Sequence, residues 1–361
     1  MTVDVDHGRA RPVMTDVARL AGVSQKTVSR VINDAPNVSA EVRDRVLAAI
    51  DTLGYRPNAA ARALVTKGTR VLGVVTPGTA LYGPSAQLFG IERAAWEAGY
   101  SVVIVSTLDG SAAELTRAVR QLVDHDVNGL VLAGPITEEA LPADLLRGIP
   151  AVSVGDPITG HFDCPAVMPD QVAGARMATE HLLSLGHSTV WHLAGPTSWF
   201  SATARVEGWR QALLTAGAPL HEPITGDWTA RAGYEAGQEL AQRPDVTAVF
   251  AANDQMATGL MRAFFEHGRH IPREVSVVGF DDAPDSEYLL VPLTTVRQDF
   301  AAITGRAVAE LLKVIDGGVP APGITLLPVE LKTRGSSGPA PPTARRLLRP
   351  PEHLPRTGHQ P

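Results

Sequence analysis

The sequence predicts an α/β protein: a small three-helix head built on a helix-turn-helix, then a two-lobed domain of doubly wound parallel sheets. Three observations predict it. Two very short amphipathic segments meet at Ala-Gly-Val within residues 15–34. A basic excess is confined to the first 70 residues. From Val71 onward, apolar β-rich runs alternate with helical stretches.

The head comes first. Asp16, Val17, Ala18, Leu20 and Ala21 make a helix of under two turns, which Gly22 breaks and Val23 leaves. Ser24 is placed to cap a second helix with Val28, Val31 and Ile32 as its apolar residues. Small Ala18 and Ala21 let the two helices cross steeply, as in a helix-turn-helix. Gln25, Lys26, Ser29 and Arg30 then face outward, donors suited to base edges and phosphates. A small helical cap with a solvated polar face is the plainer alternative. A third helix follows over 39–54, with Ser39 or Asn37 as cap, a Val42, Val46, Ile50, Leu53 stripe and Gly54 as stop.

The charge distribution supports a nucleic-acid partner for the head. Overall the chain carries −6, but residues 1–70 hold 11 Lys and Arg against 7 Asp and Glu, net +4. The remainder holds 21 against 31, net −10. A basic head on an acidic body is expected where one end meets phosphate. One cysteine, Cys164, excludes an internal disulfide framework and fits a reducing compartment. No run of 18 apolar residues and no apolar h-region is present, so the expectation is a cytoplasmic protein without a membrane partner.

Residues 55–70, "YRPNAAARALVTKGTR", contain a short helix from Pro57 and Asn58 through Leu64. So few residues do not stay helical alone in water, and Leu64 has no core of its own; an ordinary linker is the alternative. Beyond it, strands are expected at 71–76, 101–106, 129–134, 150–155, 189–195, 248–253 and 275–282, and helices at 85–98, 111–125, 171–185, 202–216 and 254–267. Two such sets make two similar lobes, with a ligand cleft beyond the carboxyl ends of the strands. Asp156, Asn253, Asp281 and Asp282 end strands there.

The motifs "DVARLAGVSQKTVSRVIN", "LGYRPNAAARAL", "HLLSLGH", "LAGP", "SATARVEGW", "GDW", "VFAANDQMATG", "VSVVGFDD" and "PLTTVRQDF" follow in order over residues 13–335. By them the chain is identified as a member of the lactose/galactose repressor (LacI/GalR) family of transcriptional regulators, its effector domain resembling the lactose type. The resemblance implies a periplasmic-binding-protein-like (type 1) effector domain and a hinge helix. It implies this organisation: a disordered N-terminus 1–12, a helix-turn-helix domain 13–56 and a hinge 57–69. Residues 70–335 then form a sugar-binding and dimerisation domain, with lobes of about 70–168 plus 298–325 and about 169–297 plus 326–335.

The resemblance also implies roles. Gln25 and Lys26 choose bases in each half-site of a pseudopalindromic operator, and Arg30 reads a guanine. Thr27 and Ser29, with Asn33, contact the backbone; Thr15, Ser24, Tyr55, Asn58 and Ala61 belong to the same DNA-facing set. Leu64 inserts into the minor groove and kinks the duplex. In the cleft, Arg205 offers a planar fork to two hydroxyls, Asp281 supplies acceptors and Asn253 a donor and an acceptor. Trp228 lays its indole against a pyranose face, Gln298 contacts ligand, Leu81 lines the apolar wall, and Asp156 stands in at its strand end. Taken singly, Trp228 reads as a core aromatic, and Arg205 as a partner of Glu207 or Asp227.

Departures from the lactose-type pattern cluster in the first lobe. Pro77 replaces a serine and has no donor to offer, Gly155 stands where the strand-end aspartate belongs, and Pro169 falls at an aromatic wall position. The expectation is a shared pyranose grip with a different second group: a β-galactoside first, a cellobiose-like glycoside second. Residues 336–361, with seven prolines from 335 onward and no heptad repeat, predict a disordered tail and a homodimer rather than a tetramer. No enzyme is expected: G-x-S-x-G, G-x-G-x-x-G, G-x-x-x-x-G-K-[ST] and H-E-x-x-H are all missing from the sequence. Neither cofactor nor metal is called for. The remaining alternatives are a two-lobed sugar-binding protein and a regulator with a non-sugar or protein effector.

Overall fold

The computed structural model describes residues 12–32, 35–55, 69–108, 111–134, 142, 144–157, 164–321 and 323–342. The expectations for the N-terminal segment, Asn33, the hinge with Asn58, Ala61 and Leu64, and the tail beyond 342 lie outside them. The chain divides into two compact units, Met1–Arg70 and Val71–Pro361.

In the first unit, α1 is Met14–Ala21, α2 Gln25–Ile32 and α3 Ala40–Leu53. Gly22 turns the chain in the left-handed region, φ 65°, where a side chain is disfavoured, and its amide returns to α1. Ser24 accepts the Thr27 amide at 3.1 Å and so caps α2; of the two candidate caps for α3, Ser39 takes the role. Val17, Ala18, Ala21, Val28, Val31, Val46 and Ala49 form the shared core.

The second unit holds two six-stranded sheets. The first contains β1 (Val71–Pro77), β2 (Ser101–Thr107), β3 (Gly129–Ala133), β4 (Ala151–Val154), β5 (Ala166–Pro169) and β11 (Ile324–Leu327), in the order β11-β5-β4-β3-β1-β2. Its helices are α4 (Tyr82–Glu97), α5 (Ala112–Asp124) and α10 (Phe300–Ile315). The second contains β6 (Trp191–Ala194), β7 (Ile224–Thr225), β8 (Ala248–Ala251), β9 (Ser276–Asp281), β10 (Thr294–Arg297) and β12 (Glu330–Lys332), in the order β12-β10-β9-β8-β6-β7. Its helices are α6 (Gln171–Ser184), α7 (Phe200–Ala216), α8 (Ala230–Ala241) and α9 (Asp254–Glu266). Only β12 runs antiparallel, against β10, among the described pairings. Central strands β3, β8 and β9 are buried along their whole length, as strands covered by helices on both faces must be.

The chain crosses between lobes near residues 170, 298 and 328. Asp170 and Asp299 each cap the helix that follows, accepting the amides of Ala173 and Ala302 at 2.9 Å. The first two crossovers therefore end in a fixed helix start, and the third leads into β12.

One expectation is corrected. The tail expected from residue 336 does not begin there, because residues 336–340 pack on the second sheet. Ser336 is fully buried, donates to the Val277 carbonyl at 2.6 Å and accepts the Thr294 amide at 2.8 Å. The Gly338 carbonyl accepts from Ser276 at 3.1 Å and lies 3.2 Å from His187 Nε2, and Ala340 donates to Leu185. Small residues that read as disorder in sequence are the ones able to lie this close to β9 and β10.

A chain ending at Gly335 is expected to lose about 2–4 kcal/mol through these bonds and buried contacts. Urea unfolding of the two lengths measures it. An unchanged midpoint and slope would put the end of the folded unit back at 335.

Candidate DNA-reading surface and effector cleft

On the head, Thr15, Ser24, Gln25, Lys26 and Arg30 are exposed, while Thr27 and Ser29 are half-buried. Ser24 and Thr27 bond to each other, hydroxyl to hydroxyl at 2.9 Å, and so close the first turn of α2. Gln25, Lys26 and Arg30 are the long polar side chains on its open face, spaced to share one groove. Tyr55 departs from expectation: it is 7% exposed and completes the core of the head. Its amide folds back to the Ile50 carbonyl, which carries the ring inward.

In the second unit, Leu81, Asp156, Arg205, Trp228, Asn253, Asp281 and Gln298 all line one cleft. They come from α4's approach, the end of β4, α7, the turn before α8, and the ends of β8, β9 and β10. The cavity between them is about 60 Å³, room for a few waters.

Arg205 is the centre of the cleft and is 4% exposed. Nε donates to Gln171 Oε1 at 2.8 Å, and Nη1 donates to the Ala252 carbonyl. Nη2 lies 3.7 Å from Asp281 Oδ1, an ion pair too long for a hydrogen bond. A guanidinium has five N–H donors, so both hydrogens on Nη2 and one on Nη1 remain for hydroxyls. The group rests over the Phe280 ring, 3.8 Å from its centre, and stands 5.5 Å from that of Trp228. Neither Glu207 nor Asp227 is its partner; Asp227 accepts from Thr229 instead.

Gln298 donates to Asp281 Oδ1 at 2.6 Å and accepts from Gln171 at 3.4 Å. Gln171, which sequence reasoning missed, thereby joins Arg205 to Gln298. Its signal was modest: a polar residue opening the helix after a crossover. Asn253 has a more structural part than expected. Its Oδ1 accepts the Met256 amide, capping α9, and its Nδ2 donates to the Trp228 carbonyl at 3.0 Å. Trp228 needs that hold, because its φ is +74°, a strained region for a side-chain-bearing residue. Its indole lies over Gly195, where a Cβ would come within 2.3 Å of the ring. Glycine in "LAGP" is thus required for the indole's place. Trp199, Ser201, Gln87 and Phe300 also line the cleft without having been singled out.

Burial sets the electrostatics. It pushes the Asp281 carboxyl up to about 7, with the Arg205 charge pulling the other way and Asp254 adding to the rise. Asp156 is pushed to about 6 by burial, opposed by the amides of Ser201 and Phe200 and by Arg205. Asp156 Oδ2 and Trp228 Nε1 are buried without a hydrogen-bond partner. The site therefore offers a cation, acidic acceptors, spare donors and aromatic faces, a set suited to a polyhydroxylated ring. Among the described residues, no group of three or more His, Cys, Asp or Glu side chains is arranged to hold a metal ion. No helix there is long and apolar enough to cross a membrane.

Comparison with known proteins follows this division. Residues 13–58 match the description "Bacterial regulatory proteins, lacI family", and residues 179–337 match "Periplasmic binding protein-like domain". The lactose operon repressor of Escherichia coli strain K12 is 37% identical over 329 residues, covering 90% of each chain. This chain belongs to the LacI family. The regulator CelR of Thermobifida fusca is also 37% identical, over 84% of this chain and 92% of its own. Among solved structures, the lac repressor dimer bound to operator and the anti-inducer ONPF superposes with a TM-score of 0.83 at 34% identity, covering 91% of this chain and all of that one. A CelR–cellobiose complex superposes at 0.67 with 32% identity, covering 91% of this chain and all of that one. The LacI-family chain is a DNA-binding transcriptional repressor; its relatives are regulators, not enzymes.

The raised Asp156 value has a testable sign. A carboxyl whose folded pKa lies above its unfolded one favours folding below the unfolded value, and loses that contribution as pH rises through the folded value. Asp156→Asn mimics the protonated form at every pH. Its stability relative to wild type is expected to rise between pH 5 and 7.5, read by urea unfolding. Parallel curves would mean that Asp156 ionises as freely as in water.

Proposed function

We propose that this LacI-family repressor binds a pseudopalindromic operator as a homodimer and is released by a sugar or glycoside held in the cleft. The observation that carries the reading is the convergence of Arg205, Trp228, Asp281 and Gln298 on one small cavity, with donors and acceptors to spare. A β-galactoside is the first expectation, since the second lobe follows the lactose-type pattern, and the lac repressor relative shares most of its length with this chain. A cellobiose-like glycoside is the second, favoured by the likeness to CelR, whose solved complex holds cellobiose.

Exposed apolar side chains support the homodimer. Phe89 and Trp96 on α4 are 67% and 72% exposed, and Phe265, Tyr288 and Leu290 are 69%, 79% and 101% exposed. Phe265 and Leu290 line an apolar groove of about 430 Å³ together with Met261, Ile271 and Leu289. Surfaces of this kind are covered in stable assemblies.

The mechanism is a two-state switch. On this reading sugar binds best to one arrangement of the two lobes. The hinge sequence 57–69 is too short to hold a helix alone, and its folding on DNA depends on how the two first lobes of a dimer present it. A coupling of about 1–3 kcal/mol per site is ordinary. Sugar must favour the released state over the DNA-bound one, or nothing shifts.

Arg205→Ala is expected to bind operator normally and to lose at least about a hundredfold in sugar affinity, since it strips several charge-assisted bonds. Electrophoretic mobility shifts with and without sugar measure both; retained induction would end the role. Arg30→Ala should lose about 1–3 kcal/mol on one base pair of each half-site and little on others. Binding to a panel of operator variants decides it, a uniform loss making Arg30 a phosphate contact.

A further inference from the structure

The acidic side of the cleft has one arginine within it and another behind it. Asp281 ends β9, Asp282 follows it, and Asp254 opens α9. Asp254 disfavours the charge of Asp281, and Asp282 that of Asp254, so the three carboxylates act on one another. Arg205 faces Asp281 from inside. Neither Asp282 nor Arg334 lines the cleft, yet the two form a close ion pair. Arg334 Nη2 donates to Asp282 Oδ1 at 2.6 Å, and the two side chains are 17% and 14% exposed, so the pair is shielded from most water.

Arg334 is itself firmly placed. Its amide donates to Thr294 Oγ1 at 2.9 Å, and its Nη1 donates to the Leu293 carbonyl at 2.9 Å. The guanidinium therefore reaches Asp282 from a backbone fixed to the start of β10. At the other end, Asp281 and Asp282 are consecutive residues with φ of +114° and +54°. Residues with side chains keep such conformations only where their surroundings enforce them. The Asp282 amide is a weak hold, 3.4 Å from Thr295 Oγ1. Its carboxylate, gripped by Arg334 in a charge-assisted bond, is the stronger anchor.

We propose that Arg334 is a positioning residue for the effector: it holds Asp282 from outside the cleft and so keeps the Asp281 carboxylate aimed at a sugar hydroxyl. This role rests on the sugar reading of the cleft and adds to it a residue that touches no ligand. The charge of Arg334 matters as much as its bonds. Without it, Asp282 stands uncompensated beside Asp281 and Asp254, and Glu287, 3.8 Å from Nη2, adds a fourth carboxylate to that side. Repulsion then acts on a strained turn, and the Asp281 carboxylate drifts from Gln298 and Arg205.

Calorimetric titration of the full-length chain with lactose, cellobiose and methyl β-D-galactoside tests it, the variants being compared on whichever binds wild type most tightly. Arg334→Ala is expected to weaken that saccharide about tenfold. Arg334→Lys, which restores the charge, should recover most of the loss. The deciding variant combines Arg334→Ala with Asp282→Asn, which removes the stranded charge and leaves a residue that tolerates positive φ. It should bind within about threefold of wild type. A merely structural loss would be left as it was, or deepened, by the second substitution. Thermal melts establish that each variant folds, with Arg334→Gln replacing Arg334→Ala if that one does not. Wild-type affinity in Arg334→Ala, or a double variant no tighter than the single one, would overturn the role while leaving the sugar reading intact. If no saccharide binds the wild-type chain, the sugar reading falls and the role with it.

Discussion

Burying a guanidinium sets the terms for the rest of the cleft. Arg205 is out of water, and an unpaired charge there would cost several kcal/mol. Its partners must therefore be supplied by the fold, and they arrive from separate elements. Gln171 opens the helix after the first crossover, Ala252 ends β8, and Asp281 ends β9. Phe280 provides a ring beneath it. Through Gln298, which bonds both Asp281 and Gln171, the same network reaches the second crossover. A change in charge balance at Arg205 is thus felt where the lobes are joined. The first two crossovers end in helices whose first turns are pinned by Asp170 and Asp299.

The backbone around Arg205 is strained where it must aim side chains. Trp228, Asp281 and Asp282 have φ of +74°, +114° and +54°. Such conformations persist only where surroundings enforce them. Asn253 holds the Trp228 carbonyl, and Arg334 grips Asp282 at 2.6 Å. Asp254, pushed by burial to about 6, accepts from Ala283, Ser286 and Thr295, fixing the loop after β9. Arg334 leads into the packed segment 336–340. Arg334 thus steadies Asp282, next to the cleft's Asp281, just before the segment that closes the sheet.

Much of this was legible in sequence because parallel strands covered on both faces read as unbroken apolar runs, and the polar residues ending them mark the cleft. Asp156, Asn253 and Asp281 were found that way. Strands β5, β7, β10, β11 and β12, of two to four residues each, went unassigned. Helices α8 and α10 went unassigned between the motifs. Gln171 was missed since a polar residue at a helix start reads as solvated surface, and only the tertiary fold turns it onto Arg205. Tyr55, placed in the DNA-facing set by resemblance, is carried inward by the turn at Gly54 and packs in the core of the head. The segment around Ser336 misled by composition, as glycine, serine and proline favour both disorder and close backbone packing.

The two lobes differ in how they discriminate. The second lobe carries charge and strain in a fixed frame, where Arg205 Nη2 faces Asp281 and Asp281 Oδ1 also accepts from Gln298. The first lobe departs from the lactose-type pattern at Pro77, Gly155 and Pro169, and its wall is set by what it lacks as much as by what it offers. Pro77 packs on Gly134 and has no amide hydrogen to donate. Gln87, lying where a side chain at 155 would otherwise project, can donate. Moving a donor from one strand end to a neighbouring helix shifts the place where a hydroxyl is tolerated, and selectivity is that difference between ligands rather than the sum of contacts with one.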